Sequence, residues 1–427
     1  MPQPLRTAPS FRSLDLNLSP AEAACALRHL PGLVFFDSAG NHSSRDSSPV
    51  SIVGACPVES VRGILPEVAS LRTVLQGYQQ TGPDCGFPLG AACGTIDYDG
   101  RFDFGFYPDL LIYSHRTGQW FETGSLAKHL TPREPPPCSV PAQWESDFNK
   151  EDFIAAVRRA QEYIAAGDIY QVNLTQRFHA TVPPGQDLSS LYLQLREHSP
   201  APMAAWLRQG DREILSSSPE TFLRMHHRQV ETRPIKGTRP RFADPEADSR
   251  SAFELKTSEK ELAELVMITD LERNDLGRVC EFGSVRVDEL CRHEKLEHVH
   301  HLVSTVTGRL QSGCDQIGAL CATLPGGSIT GAPKKRACEI ISELEPVPRG
   351  LYTGVTGYLG FNGESQFNIA IRTLVHEKSR ECLSYHVGAG IVADSNPLEE
   401  YKETLIKGEG IRRALADCPP RSPLKED

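Results

Sequence analysis

Between Leu130 and Trp144 the chain reads LTPREPPPCSVPAQW, a stretch that no regular helix or sheet interior accommodates. Proline removes the backbone donor and holds the residue before it extended. The segment therefore divides the 427 residues into two regions of different pattern. Before it, LVFFDS, SIVGACP and LLIYSH are short apolar runs rich in β-branched and aromatic residues, separated by turn formers, and read as strands. The polar stretch from Ala39 to Ser48 between the first two reads as a loop. After it, helical and strand patterns alternate. The expected organisation is one region over 1–140, a second over 145–416, and a polar, proline-containing tail over 417–427.

The second region begins with a helix. Asn149 is a good N-cap, Phe153, Val157, Ala160 and Ile164 recur at helical spacing, and Gly167 ends the run. IYQVNLTQRF follows as a strand, with Tyr170, Val172 and Leu174 on one side and Gln171, Asn173 and Thr175 on the other. A strand with a polar side turned inward marks a place to look for a site. Ser258 and Glu261 fit a capping box that opens a helix to about Glu272. Within it Glu264 falls among Met267, Ile268 and Leu271 on the apolar stripe. A carboxylate there is costly unless it is paired or binds a metal. A last helix starts at Asn396-Pro397 and carries Glu400, Glu403 and Lys407 on one face.

Composition excludes several classes. The net charge is -10, from 45 Lys and Arg against 55 Asp and Glu. That balance does not suit a sequence-independent nucleic-acid binder, which needs a basic face. No apolar run is long enough for a membrane span, and the N-terminus lacks a signal-peptide core. The 12 cysteines form no C-x-x-C pair and read as reduced thiols of a cytoplasmic protein.

Three features carry chemistry. PGGSITGAPKKR, from Pro325 to Arg336, is a glycine-rich turn leading into a helix. Read alone it is either a structural turn or an anion site made of backbone N–H groups, and it fails the P-loop pattern. Arg372 in QFNIAIRTLV reads as a strand residue opposite Phe367, Ile369 and Ile371. It is either a surface arginine or a bidentate clamp for a carboxylate. Strand alternation in HVHHLVS, from His298 to Ser304, separates His300 from His301. That alternation argues against a shared metal, and His301 stays a hydrogen-bonding candidate. Glu264, Glu400 and Glu403 can hold a hard cation such as Mg²⁺; the alternative for Glu400 and Glu403 is a solvated face with a Glu403–Lys407 pair.

These pieces occur in one order. GDIYQVNLTQRF, SSPETF, RPIKGTRPR, ELVMITDLERNDLGRV, PGGSITGAPKKRA, RGLYTGVTGYLG, FNIAIRTL and GAGIVADSNPLEEYKETLIK run from Gly167 to Lys407. Together they resemble the chorismate-binding superfamily, and within it component I of the aminodeoxychorismate synthases. The N-terminal part is similar to that family more weakly. The resemblance implies an α/β fold of two antiparallel β-sheets packed face to face as a sandwich with helices outside, the two regions interleaved.

It also implies roles. Glu264 and Glu403 would bind Mg²⁺ with Glu400 beside them, and the metal would grip the ring carboxylate of chorismate. Tyr352 and Arg372 would hold the enolpyruvyl carboxylate. The backbone at Gly388, Ala389 and Gly390, with Lys407, would hold the substrate, and His301, Ser328 and Thr330 would line the ring pocket. Glu220 would be the general acid for the departing 4-hydroxyl. Isochorismate-forming relatives have lysine where this chain has Gln171. Anthranilate-forming relatives read P-I-A-G-T where this chain reads Pro234 to Thr238 with Lys236. Lysine there marks amination at C4, with Lys236 as covalent nucleophile and Thr238 next to it. This chain shows no glutaminase motif, so the partner implied is a separate glutamine amidotransferase. Relatives that bind tryptophan carry a leucine-leucine-glutamate-serine motif. Here Val34 to Ser38 stands in its place and keeps Ser38, a candidate effector pocket. Anthranilate synthase component I is the rival in product. A non-catalytic chorismate-binding subunit is the rival in class.

Overall fold

The computed structural model describes residues 11–38, 49–137, 140–141, 143–183, 185–295 and 299–418. The loop expected over Ala39 to Ser48, His298 and the tail beyond Cys418 lie outside the described residues. The rest forms two antiparallel sheets, one of 12 strands and one of 10. Helices cover their outer faces.

The strand Val34–Asp37 shows why the sheets stack. Every residue in it is buried. Phe35 points outward onto Tyr192 of the helix Ser189–His198, with ring centroids 5.9 Å apart. Phe36 points inward onto Tyr358 of the other sheet at 5.6 Å. Covered on both faces, such a strand reads as an unbroken apolar run. Burying each ring contributes about 2 kcal/mol. Val34, Phe36, Ala205 and Leu207 of the larger sheet meet Ala91, Cys93, Tyr107 and Tyr358 of the smaller one in the inter-sheet core.

Strands from both sides of the proline-rich segment share both sheets. Phe36 is registered with Ala205 in the larger sheet, and Thr95 with Thr356 in the smaller. The described residues of the segment itself form neither helix nor strand until Glu145 and Ser146.

Asn149 caps the helix Lys150–Ala165 by accepting from the Asp152 N–H, and Gly167 takes φ +81° just beyond it. The strand Gln171–Thr181 starts two residues later than the sequence pattern suggests, leaving Tyr170 72% exposed. The second helix runs from Glu259 to Gly277, past its expected end. Glu272 and Asp275 interrupt the apolar pattern but are buried, so the periodicity faded before the helix did. Only half of the capping box forms: the Ser258 hydroxyl accepts from the Glu261 N–H at 3.4 Å. Arg372 does not lie on a strand. The strand Glu364–Ile369 ends before it and Thr373–Glu377 begins after it. Among the described residues no helix is long and apolar enough to cross a membrane.

Because strands of each region complete sheets begun by the other, fragments 1–140 and 145–427 made separately should each lack a cooperative melting transition. Calorimetry of the two fragments checks this. A cooperative transition in both would contradict the shared-sheet architecture.

Candidate active site

Two neighbouring segments cross together from one sheet to the other. The first joins strand Arg212–Ser218 of the larger sheet to Thr221–His226 of the smaller. The second joins Glu364–Ile369 of the smaller to Thr373–Glu377 of the larger. They are fastened to each other. The Ser218 hydroxyl donates to the Ile369 carbonyl at 2.5 Å, the Ile369 N–H to the Glu220 carbonyl at 3.1 Å, and the Ser217 N–H to the Arg372 carbonyl at 3.0 Å. Beside this double crossing opens a cavity of about 700 Å³. Small-molecule sites span roughly 300–1,000 Å³.

Glu220 enters the cavity from the first crossing, 6% exposed. Burial raises its carboxyl above the ordinary range; the Ser328 hydroxyl, the Lys236 ammonium and the Ile235 N–H pull the other way without cancelling it. A carboxyl shifted in this direction holds its proton more tightly than an exposed one, which suits a group that serves as an acid. The Ser328 Oγ beside it is buried without a hydrogen bond of ordinary geometry.

Lys236 enters from the strand Ile235–Pro240. The register slips between Lys236 and Thr238, with Gly237 at φ +68° as the extra residue. A glycine-centred bulge re-aims the side chains around it. Lys236 and Thr238 both line the cavity, and the Lys236 Nζ stands 4.0 Å from Glu264 Oε2. A Cβ on Gly237 would meet Leu255 Cδ1 at 2.7 Å, which reserves the place for glycine.

Arg372 enters from the second crossing with φ +49°, a conformation uncommon for any residue but glycine and concentrated at functional sites. Burial lowers its pKa. Its guanidinium makes no hydrogen bond or ion pair with a described residue, though it lines the cavity. A desolvated guanidinium without a partner is suited to an incoming carboxylate. Tyr352 lines the same wall and stacks on His386, with centroids 5.0 Å apart and planes at 11°.

His301 lies 3.0 Å through Nδ1 from the Thr238 hydroxyl and 3.3 Å from the Gly237 carbonyl. A carbonyl only accepts, so Nδ1 carries the proton and Nε2 the lone pair. Burial, then the Arg372 charge, lowers its pKa to about 4. Burial, then Arg177 and Arg349, lowers that of His386 to about 3. Both rings stay neutral at ordinary pH.

Glu264 and Glu403 face the cavity from the helices Glu259–Gly277 and Pro397–Lys407. Burial raises Glu264, against the pull of Lys236 and Lys260. Burial acts on Glu403 too, but Lys407, which bonds it at 2.7 Å, prevails and lowers it. Lys407 Nζ also donates to the Gly388 carbonyl at 3.1 Å. Two carboxylates near each other, one lacking a close cation, are a fitting pair of hard donors for Mg²⁺.

The cavity thus gathers Glu220, Lys236, Thr238, Glu264, His301 and Ser328 with Tyr352, Arg372, Gly388, Gly390, Glu403 and Lys407. Other expected residues stand elsewhere. Glu400 is buried and accepts from the Ser395 hydroxyl at 2.7 Å, so it stands behind Glu403 and not on the cavity wall. Glu264, Glu400 and Glu403 form no three-ligand cluster; among the described residues that geometry occurs only at Asp84, His226 and Glu364. The Thr330 hydroxyl closes its own turn on the Gly326 carbonyl at 2.9 Å. The Ala389 side chain points into the core with Val172 and Leu174. Gln171 is 1% exposed behind Gly390, where a Cβ would lie 2.7 Å from its Nε2. The Ser38 hydroxyl donates to the Val50 carbonyl at 2.9 Å. The clefts it lines hold only about 30 and 20 Å³, too little for an aromatic amino acid.

Sequence reasoning missed His386, Lys260 and Glu261, which line the cavity, and Glu272 behind it. The signal for the acids was present. Glu261, Glu264, Ile268, Glu272 and Asp275 fall within about 80° of one helix face at 3.6 residues per turn. The stripe that exposed Glu264 as odd is an acidic face.

The family model described as chorismate binding enzyme matches residues 90–413. The chain is 46% identical over 288 residues to aminodeoxychorismate synthase component 1 of Bacillus subtilis, covering 67% of this chain and 60% of that protein. It is 48% identical over 276 residues to anthranilate synthase component 1 of Thermus thermophilus, covering 64% of this chain and 58% of that one. The match thus spans under two thirds of either relative. A solved anthranilate synthase component I from Streptococcus pneumoniae is similar at TM-score 0.73 and 27% identity, covering 86% of this chain and 93% of that one. The menaquinone-specific isochorismate synthase of Escherichia coli shares the fold at TM-score 0.77 and 17% identity, covering 96% and 95%.

The buried histidines carry a pH signature. His301 binds its proton at about 4 in the folded chain and near 6.5 when unfolded. The stability it contributes is present above pH 6.5 and is lost as the pH falls through about 4. Its ring resonances, assigned by comparison with His301→Gln, should hold their neutral positions from about pH 8 down to about pH 5 in NMR titration. A midpoint near the ordinary histidine value would contradict the burial described.

Proposed function

The chain belongs to the family of chorismate binding enzymes, and from that premise we propose that it aminates chorismate at C4 to give 4-amino-4-deoxychorismate, a precursor of 4-aminobenzoate and folate. The ammonia comes from a separate glutamine amidotransferase subunit. Overall identity does not choose between products, because the aminodeoxychorismate and anthranilate relatives stand at 46% and 48%. Lys236 carries the reading. Its side chain is 18% exposed and shares one cavity with the buried acid Glu220.

The chemistry divides one hard displacement into two. The neutral Lys236 amine attacks C2 of the ring. The ring double bond shifts, and the C4–O bond breaks as Glu220 gives its proton to the departing hydroxyl, which leaves as water. The lysine nitrogen keeps its extra proton, so it can later leave as a neutral amine. Ammonia then attacks C4, the double bond shifts back, and the C2–N bond to Lys236 breaks. Glu220 is regenerated by one proton from the incoming ammonia. The enolpyruvyl group is untouched.

The other side chains bind and orient. Arg372 and Tyr352 hold the enolpyruvyl carboxylate. The Gly388–Gly390 backbone, with Lys407, supports the substrate, and Gly390 gives Gln171 its place behind that wall. His301 and Ser328 line the ring, and Thr330 holds the turn that presents Ser328. Glu264 and Glu403 supply hard oxygens for Mg²⁺, which when bound polarises the ring carboxylate and takes up charge developing on it.

Two outcomes follow. With chorismate, Mg²⁺ and ammonium the chain should form 4-amino-4-deoxychorismate, identified by mass, faster at alkaline pH because NH₃ is the nucleophile, and glutamine alone should give none. Anthranilate or isochorismate as main product would overturn the reading. Lys236→Arg keeps the charge but cannot be neutral. It should bind chorismate yet lose at least about a thousandfold in kcat, the scale of a removed nucleophile, and kcat within tenfold of wild type would remove the lysine from the mechanism.

A further inference from the structure

Glu272 has no place in the chemistry above, and its surroundings ask for one. It sits on the helix Glu259–Gly277, 3% exposed. Its Oε1 accepts from the Gly327 N–H at 3.1 Å. That N–H opens the short turn Gly327–Ile329, which carries Ser328 into the cavity. The turn lies directly on the helix. A Cβ on Gly327 would meet Leu271 Cδ2 at 2.5 Å and Glu272 Oε1 at 3.2 Å.

The far side of the turn is gripped by the opposite charge. Arg349 Nη1 donates to the Ile329 carbonyl at 2.9 Å. An acid therefore holds a donor of this turn and a base holds an acceptor. Between them the Ser328 hydroxyl, 6% exposed and without a hydrogen bond of ordinary geometry, is presented to Glu220.

We propose that Glu272 is a positioning residue for the reaction's acid: through the Gly327 N–H it holds Ser328 against Glu220, and it places a second carboxyl group behind that acid. The inference rests on Glu220 acting as the acid of the proposed amination.

The electrostatics agree with the geometry. Three titratable groups face Glu272: Lys334 from the helix Lys334–Leu344, Asp275 from its own helix, and Glu220 from the sheet crossing. Lys334 is shared out, donating to Asp275 and, at 3.0 Å, to the Thr323 carbonyl. Burial, only partly offset by Lys334, pushes Glu272 up to about 7. Above that pH it is ionised. A second carboxylate nearby then gives up its proton less readily, because the two would share one sign of charge. Leucine at 272 would be cheaper to bury but would neither hold the Gly327 N–H nor act on Glu220.

The test uses the full chain, saturating ammonium and two variants. Glu272→Gln keeps an acceptor oxygen for Gly327 but carries no charge. Its basic limb of kcat against pH should move about one unit toward acid, as expected for losing a neighbouring like charge, with the chorismate KM within about twofold of wild type. Glu272→Leu releases the turn as well and should lose about a hundredfold in kcat, the scale of a displaced catalytic contact. Circular dichroism and melting temperature monitor folding, and if the leucine variant does not fold, the glutamine variant decides alone. An unshifted basic limb with wild-type kcat in Glu272→Gln overturns the inference. Wild-type product is identified by mass in the same assay. A wild type that yields no 4-amino-4-deoxychorismate sinks the proposed function, whereas the right product with an unshifted glutamine variant sinks only the role of Glu272.

Discussion

The double crossing between the sheets is the constraint on which the site depends. Two antiparallel segments must leave one sheet and enter the other side by side, and three hydrogen bonds keep them in step. The corner places Glu220 on one segment and Arg372 on the other. Arg372 accepts a left-handed backbone, at a cost on the order of 1–3 kcal/mol, because the crossing over-determines it. Each sheet then contributes a wall. The smaller supplies Lys236 from its glycine bulge, and the larger supplies Gly388 and Gly390, whose missing side chains leave room for Asn173 and Gln171 respectively.

Charge is spent on function here more than on stability. Arg372 is half-buried without an ion-pair partner among the described residues, and Glu264 has only Lys236 at 4.0 Å. Each desolvated ion of this kind costs several kcal/mol on the order expected for incompletely paired groups. By contrast, Arg349 is fully engaged. It donates to Glu345 at 2.7 Å, to the carbonyls of Ile329 and Asn173, and to the Thr353 hydroxyl. The core therefore pairs its charges closely where it needs rigidity, whereas at the cavity Glu403 has its partner in Lys407 but Glu264 and Arg372 have none at close range. A ligand with carboxylates and a divalent cation would supply what the cavity lacks.

The sequence made some of this legible and hid the rest for physical reasons. Strands such as Val34–Asp37 announced themselves because burial on both faces requires an unbroken apolar run. Asn149 and Asn396 marked helix starts through their side-chain caps. Glu264 stood out because a carboxylate on an apolar stripe has few explanations. Arg372 was misplaced onto a strand because QFNIAIRTLV alternates as one strand would, and nothing local reveals a change of sheet. The helix was expected to end at about Glu272 because the partners that bury Glu272 and Asp275, Gly327 and Lys334, are distant in sequence. Glu400 was grouped with Glu403 by helical spacing and by the resemblance, whereas its bond to Ser395 is a matter of how the preceding loop folds back. Local periodicity speaks for elements; partners brought together by the crossing can be seen only in three dimensions.

The central claim is that the amine of Lys236 bonds to the substrate ring while Glu220 releases the 4-hydroxyl. The most direct measurement withholds ammonia, mixes the chain with chorismate and Mg²⁺, quenches rapidly, and maps the digested peptides by mass. The account predicts a ring adduct on the peptide containing Lys236, formed with loss of water and discharged when ammonium is added. No adduct at Lys236, together with a Lys236→Ala variant that aminates chorismate at the wild-type rate, would contradict it.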